Sequence, residues 1–288
     1  MPHNNIHIFA PAKLNLFLHV TGKRADGYHS LQSLMVFVDV GDELELSEHD
    51  RLEFDVKGPF AAALGNPQDN LVYKAAALLA AHYKIPLRGK IILTKNLPVA
   101  SGLGGGSSDA AATLQGLAKL WDLPEESGPL LQLARRLGAD VPACLYKRPV
   151  WVEGAGETIT VRPDMPDLHF VLVNPKIPTP TPEVFKKFRR LFSPPILFSG
   201  QRQTADELIA ELKTLRNDLT DAALAVTPVI GKVLAALAAT TGCLLRRLAG
   251  SGATCFGIYD SMESARAAAH TLKTRYPRWW ISEADMLR

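Results

Sequence analysis

The sequence predicts an α+β fold built in two blocks. Three observations carry that reading. Residues 1–60 are rich in β-branched and aromatic residues separated by turn signals. Helical and strand-like segments then follow one another with no internal repeat. A proline-rich stretch closing on Ile177-Pro178-Thr179-Pro180-Thr181-Pro182 divides the chain, because closely spaced prolines continue neither a helix nor a central strand. With 288 residues, the chain suits one large domain or two closely packed smaller ones, and it can bury a core without disulfides or metals.

Taken in order, strands are expected at 6–10, 14–20, 31–40 and 43–47, with Asp26-Gly27 and Gly41-Asp42 as turn signals between them. A helix is expected over 70–83, where Leu71, Ala75, Leu78, Leu79 and Tyr83 recur at helical spacing. A short strand at 90–94 leads into a glycine-rich loop. The next helix, 107–120, opens on Ser107, Ser108 and Asp109, whose side-chain oxygens suit the orphan N–H groups of a helix start. A third helix at 127–138 ends on Gly138. Strands at 150–153, 157–161 and 169–173 follow. Beyond the prolines, Ser193 to Gly200 reads as a surface loop. Helices at 204–215 and 228–240, a strand–glycine turn–strand unit over 245–259, a helix at 262–275 and a strand near 278–282 complete the chain. The expected division is 1–163 and 164–288.

Composition narrows the function. Hydrophobic residues make up 47% and charged residues 21%, and the net charge is +3. That charge is too small for nucleic acid as the main partner, and the pairs Lys186-Lys187, Arg189-Arg190 and Arg246-Arg247 read as solvated faces. Cys144, Cys243 and Cys255 form an odd set with no C-x-x-C spacing, so reduced thiols are expected rather than a disulfide framework or a zinc site. No apolar run reaches a membrane-spanning length, and Met1 to Ala10 lacks the pattern of a secretory signal. The expectation is a cytoplasmic protein with neither a membrane nor a nucleic-acid partner.

The most informative segment is Leu97-Pro98-Val99-Ala100-Ser101-Gly102-Leu103-Gly104-Gly105-Gly106-Ser107-Ser108-Asp109. Glycines cost backbone entropy on folding, and their use is to let bare backbone approach a ligand. Here they feed a helix start, where free N–H groups and the positive dipole end favour an anion. These are the parts of a phosphate site, with Ser107 and Ser108 as added hydroxyl donors. No lysine follows as a P-loop needs, and the dinucleotide spacing G-x-G-x-x-G is absent.

This loop resembles the nucleotide-phosphate loop of the GHMP kinase superfamily, P-x-x-x-G-L-G-S-S-x-A. Other segments resemble one branch of it in the same order. They are Pro11-Ala12-Lys13-Leu14-Asn15-Leu16, Arg24-Ala25-Asp26-Gly27-Tyr28-His29, Gly138-Ala139-Asp140-Val141-Pro142, the segment from Ile177 to Phe185, and Gly250-Ser251-Gly252. In the last, Ala249 and Ala253 stand where the superfamily commonly has Ser and Pro or Ala.

The resemblance implies a two-domain fold with the active site in the cleft between domains. It implies an ATP-dependent kinase of a small soluble alcohol, with ATP and Mg²⁺ as cofactors. The ATP site would comprise Pro98, Gly102, Leu103, Gly104, Gly105, Gly106, Ser107 and Ser108, with Asn70 and Lys95 near the adenine. Asp140 would accept the proton of the attacking hydroxyl or orient it, the Val-Pro that follows holding the chain extended there. Lys13 would stabilise the transferred charge and keep Asp140 ionised. The branch acts on a cytidine diphosphate-linked methylerythritol. Tyr28 and Phe185 match positions that sandwich its base, His29 the position that reads the base edge, and Asn15 and Thr181 polar contacts to the rest. Another GHMP kinase specificity, or a non-catalytic nucleotide-binding regulator, is the competing reading. The metal ligands and the choice of monomer or homodimer stay open.

Overall fold

The computed structural model describes residues 5–124, 127–197 and 204–288. Met1–Asn4 of the N-terminal segment and residues 198–200 of the expected loop lie outside the described residues. The chain forms two compact units that interleave along the sequence. One comprises Met1–Ala12, Gly41–Val99 and Gly104–Tyr146, the other Lys13–Val40, Ala100–Leu103 and Lys147–Arg288.

The first unit holds the start of strand β1 (Ile6–Lys23), the end of β2 (His29–Ser47), β3 (Leu52–Lys57) and β4 (Gly89–Thr94). β4 pairs antiparallel with β2, Glu43 opposite Thr94, and parallel with β3, Leu52 opposite Gly89. A parallel pair needs a crossover, and helix α1 (Leu71–Tyr83) supplies it. Buried residues alternate along β4, so one face is covered. α2 (Gly105–Leu120) lies on that face, with Leu117 and Leu120 beside Gly89 of β4, and α3 (Ser127–Leu137) and the short α4 (Val141–Cys144) pack on α2. α2 is rich in small residues and sits close to the strands. A side chain at Gly116 would come within 2.8 Å of Leu46 and 2.9 Å of Ile8, so glycine sets that spacing.

In the second unit, Leu31–Met35 of β2 pair antiparallel with β5 (Val150–Gly154), which pairs with β6 (Thr158–Val161). A separate antiparallel sheet runs in the order β10-β7-β9-β8, from β7 (His169–Asn174), β8 (Cys243–Leu248), β9 (Cys255–Tyr259) and β10 (Trp280–Asp285). The helices are α5 (Thr181–Lys187), α6 (Ala205–Thr214), α7 (Thr220–Val226), α8 (Val229–Ala238) and α9 (Met262–Arg275). Val171 and Val173 of β7 share one core with Ile230, Val233 and Leu237 of α8 and Ala268 and Leu272 of α9. Among the described residues no helix is long and apolar enough to cross a membrane.

Four expectations need correction. Gly41-Asp42 is not a turn, because β2 runs straight through it and merges the two expected strands. Gly41 is there for contact: its Cβ would lie 2.3 Å from the Ala10 carbonyl oxygen. Likewise 6–10 and 14–20 form one strand. α2 starts at Gly105, ahead of the serines, because Gly104 takes the left-handed conformation at φ 65° and caps it. Asp140 is not in extended chain. It is helical at φ −85°, ψ −19°, at the N-cap position of α4, with Pro142 inside that helix's first turn, where proline is tolerated.

Candidate active site

The glycine loop descends from β4 and enters α2. Ser108 N–H donates to the Gly104 carbonyl at 2.8 Å, the first helical bond. The N–H groups of Gly105, Gly106 and Ser107 therefore have no partner within the helix. Among the described residues, the nearest group that a Gly106 Cβ would meet outside its own helix backbone is Leu71, 3.7 Å away. No internal contact demands glycine there, which suits a surface kept bare for a ligand. Gly105 differs, since its Cβ would lie 3.0 Å from Lys95 Nζ and 3.3 Å from Asp42 Oδ2.

Beneath this helix start lies a buried charge cluster in the first unit. Lys95 Nζ donates to Asp42 Oδ2 at 2.5 Å and to Asp109 Oδ2 at 2.6 Å. Asp42 Oδ1 also accepts the N–H groups of Asn96 and Leu97, at 2.6 and 2.9 Å. Burial works to lower the Lys95 ammonium pKa, and Asp109 and Asp42 beside it raise it above the usual lysine value. Burial pushes the Asp109 carboxyl up to about 8, Lys95 pulling it down and Asp42 raising it further. Lys95, expected near adenine, is thus held by two carboxylates. Sequence reasoning missed Asp42, read as a turn residue, and used Asp109 only as a helix starter. Asn70, expected beside it, caps α1 by accepting the Val72 N–H at 2.9 Å. Pro98 is buried.

In the second unit, Gly102 packs backbone to backbone on the turn Gly250-Ser251-Gly252. Its Cβ would lie 2.2 Å from the Ala249 carbonyl oxygen, and it sits at φ 80°, so glycine is required. Thr254 N–H donates to Ser101 O at 3.0 Å, and Lys13 N–H to Leu103 O at 2.9 Å. The Lys13 ammonium is buried and donates to Asn15 Oδ1 at 2.8 Å. The Asn15 amide donates in turn to Ser33 Oγ at 2.8 Å, and Ser33 donates to the Phe17 carbonyl at 2.6 Å. Asn15, expected to contact substrate, has both ends of its amide engaged in this relay.

Thr181 Oγ lies 2.7 Å from Ser251 Oγ at the start of α5. Phe185, one turn on, stacks on His29 with ring centroids 5.0 Å apart and planes at 21°, and Phe188 meets His29 edge-on. Tyr28 is 64% exposed. Its N–H donates to Asp26, which also receives Arg24. Burial, helped by Lys23, lowers the His29 imidazolium pKa. His29 is thus neutral at neutral pH, with one ring nitrogen to donate and one to accept. The structure brings His29, Phe185, Thr181 and Ser251 into one region of this unit and leaves the Tyr28 ring projecting.

Among the described residues no three His, Cys, Asp or Glu side chains cluster as a metal cage.

Comparison with known proteins defines the class. Residues 70–148 match the family described as GHMP kinases N terminal domain, and residues 197–278 match GHMP kinases C terminal. Over 280 residues, 97% of this chain and 98% of the relative, it is 48% identical to the 4-diphosphocytidyl-2-C-methyl-D-erythritol kinase of Paramagnetospirillum magneticum. It is 47% identical to the enzyme of the same name from Cereibacter sphaeroides, over 97% of the chain and 98% of the relative. A crystal structure of 4-(cytidine 5'-diphospho)-2C-methyl-D-erythritol kinase superposes with a TM-score of 0.78 at 32% identity, covering 97% of this chain and 99% of the other. The chain belongs to the GHMP kinases and, among them, to the family of these 4-diphosphocytidyl-2-C-methyl-D-erythritol kinases.

Proposed function

We propose that this chain transfers the γ-phosphoryl group of ATP to the 2-hydroxyl of 4-diphosphocytidyl-2-C-methyl-D-erythritol, a step of the non-mevalonate route to isoprenoid precursors. The observation that carries the reading is 48% identity along 97% of the chain to an enzyme of that name. The glycine-lined helix start and the buried, oriented Lys13 support it.

In phosphoryl transfer the protein contributes mainly position and charge. The ATP phosphates lie on the residues from Gly102 to Ser108, where unpaired N–H groups and the dipole of α2 receive them. Mg²⁺, held through a nucleotide lying on Gly102 to Ser108, would supply positive charge to its phosphates. The substrate hydroxyl oxygen attacks the γ-phosphorus, the bond to the bridging oxygen breaks, and ADP leaves. Asp140 takes the hydroxyl proton or orients it, and Lys13 balances charge on the transferred group. Phe185 and Tyr28 offer aromatic faces to the cytosine, and neutral His29 offers a donor and an acceptor to its edge. The 1–163 and 164–288 division is kept for the two halves of the family, since the matches at 70–148 and 197–278 fall on either side of it. A cytoplasmic location is consistent with three free thiols.

The test is ADP release from Mg-ATP with the cytidine substrate, mevalonate, homoserine and galactose offered separately. Turnover with the cytidine substrate alone is expected. Turnover with another alcohol instead would discard the Tyr28, His29 and Phe185 assignment. Asp140→Asn is expected to lower kcat by about 10²–10⁴ while ATP still binds. Unchanged turnover in that variant would remove Asp140 from the chemistry.

A further inference from the structure

The cluster beneath α2 contains one ammonium and two carboxylates, all closed off from water. Lys95 is 2% exposed, Asp42 0% and Asp109 2%. With both acids ionised, such a site carries a net negative charge with no counter-ion, which is costly in a low-dielectric interior. The hydrogen bonds say which acid is better provided for. Asp42 accepts three donors: the Lys95 ammonium and the N–H groups of Asn96 and Leu97. Asp109 Oδ2 accepts the Lys95 ammonium, with Asp42 as its acidic neighbour, and among the described residues its buried Oδ1 has no partner, nor does the neighbouring Ser108 hydroxyl. An ionised carboxylate with a bare buried oxygen is the more expensive state, so a proton settles on Asp109. Lys95 and Asp42 are the charged groups that bear on it. Helices α1, α3 and α4 also pack on α2, and the leading electrostatic influences on Asp109 come from Lys95 and Asp42.

The cluster lies directly behind the helix start. Lys95 Nζ is 3.0 Å from where a Gly105 Cβ would stand, and Asp109 lies one turn along α2 from Gly105. We propose that Asp109 is a positioning residue that keeps a proton in the Lys95–Asp42 cluster, so that the N-terminus of α2 receives the ATP phosphates with no added negative charge behind it. Ionisation of Asp109 puts that charge there and opposes nucleotide binding. The inference rests on the reading of Gly104–Ser108 as the phosphate cradle. Burial raises the Asp109 carboxyl to about 8, so the effect falls on the alkaline side of neutrality.

The experiment has three arms. Difference infrared spectroscopy of the full chain at pH 7, wild type against Asp109→Asn, is expected to show a protonated-carboxyl band that the variant lacks. No such band would overturn the proposal without touching the cradle. Equilibrium titration with ATP is expected to give a Kd about tenfold higher at pH 9 than at pH 7 in the wild type, since roughly one molecule in ten then keeps the proton. The Asp109→Asn variant mimics the neutral acid and should hold a flat Kd across that range. An equal alkaline rise in wild type and variant overturns the proposal. Should Asp109→Asn fold poorly, Asp42→Asn serves in its place. It leaves Lys95 to Asp109 alone, and the alkaline rise should move to lower pH. An unmoved rise overturns the proposal. Gly106→Val tests the cradle independently. It should abolish ATP binding at every pH, and undiminished binding would remove the cradle reading on which the proposal stands.

Discussion

Lys13 is oriented by a buried relay that starts at Asn15, two residues along the strand, and runs on to Ser33. Its ammonium donates to Asn15, Asn15 to Ser33, and Ser33 to the carbonyl of Phe17. Lys13, Asn15 and Ser33 are 4%, 0% and 1% exposed, so water cannot replace a missing link. Losing a partner of a buried polar group costs about 1–3 kcal/mol. Asn15→Ala is therefore expected to lower unfolding free energy by about that amount in a denaturant titration. It should also lower kcat more than it raises KM for ATP, since Lys13 loses an orienting acceptor. A fall in stability with kcat intact would make the relay purely structural. The Lys13 motif was legible because it is contiguous. The job of Asn15 was not, since Ser33 lies 18 residues away. Nor was that of Asp42, whose partner Lys95 lies 53 residues away.

At the scale of elements, hydrophobic spacing located α1, α2, α3, α6, α8 and α9 and most strands to within a few residues of their ends. What it missed has physical causes. α4, α5 and α7 are 4–7 residues long, too short for a helical periodicity to register. β2 was divided in two because Gly-Asp is a turn signal when only the local chain is seen. The deciding contact is with another strand: a Gly41 Cβ would lie 2.3 Å from Ala10 O and 2.8 Å from Pro11 Cα. Gly41→Ala must push against that backbone as well as the Phe9 ring, 2.7 Å away, and moving the ring relieves only one of the three contacts. It is expected to destabilise the protein by about 1–3 kcal/mol, read as a lowered denaturation midpoint with unchanged slope. A loss below half a kcal/mol would show that the strands can part there. The same reasoning explains Asp140. A pre-proline pattern argues for extended chain, but Val141 and Pro142 sit in the first turn of α4, where proline's missing N–H has no cost.

Two buried titratable groups give the whole molecule a stability profile with opposing limbs. His19 is 5% exposed, and among the described residues neither ring nitrogen has a hydrogen-bond partner. Burial lowers its imidazolium pKa below 6.5, with Asp218 working against this and Arg216 and Arg247 with it. Below 6.5 the unfolded chain therefore binds a proton that the folded one refuses, and stability falls with acid. Asp109 acts in the other direction. Between its ordinary 3.8 and about 8 the folded state holds a proton that the unfolded state has released, so stability falls as pH rises across that interval and levels off above it. Below 6.5 the two slopes oppose each other, and from 6.5 to 8 the Asp109 slope continues without that opposition. Thermal melts across pH 5–9 are expected to show wild type losing Tm between 6.5 and 8, and Asp109→Asn holding it there. His19→Leu should keep the alkaline fall and gain stability relative to wild type at pH 5. If Asp109→Asn shows the same loss of Tm between 6.5 and 8, the extra proton of the folded state resides on some group other than Asp109, and the charge behind α2 does not change with pH in the way its burial requires.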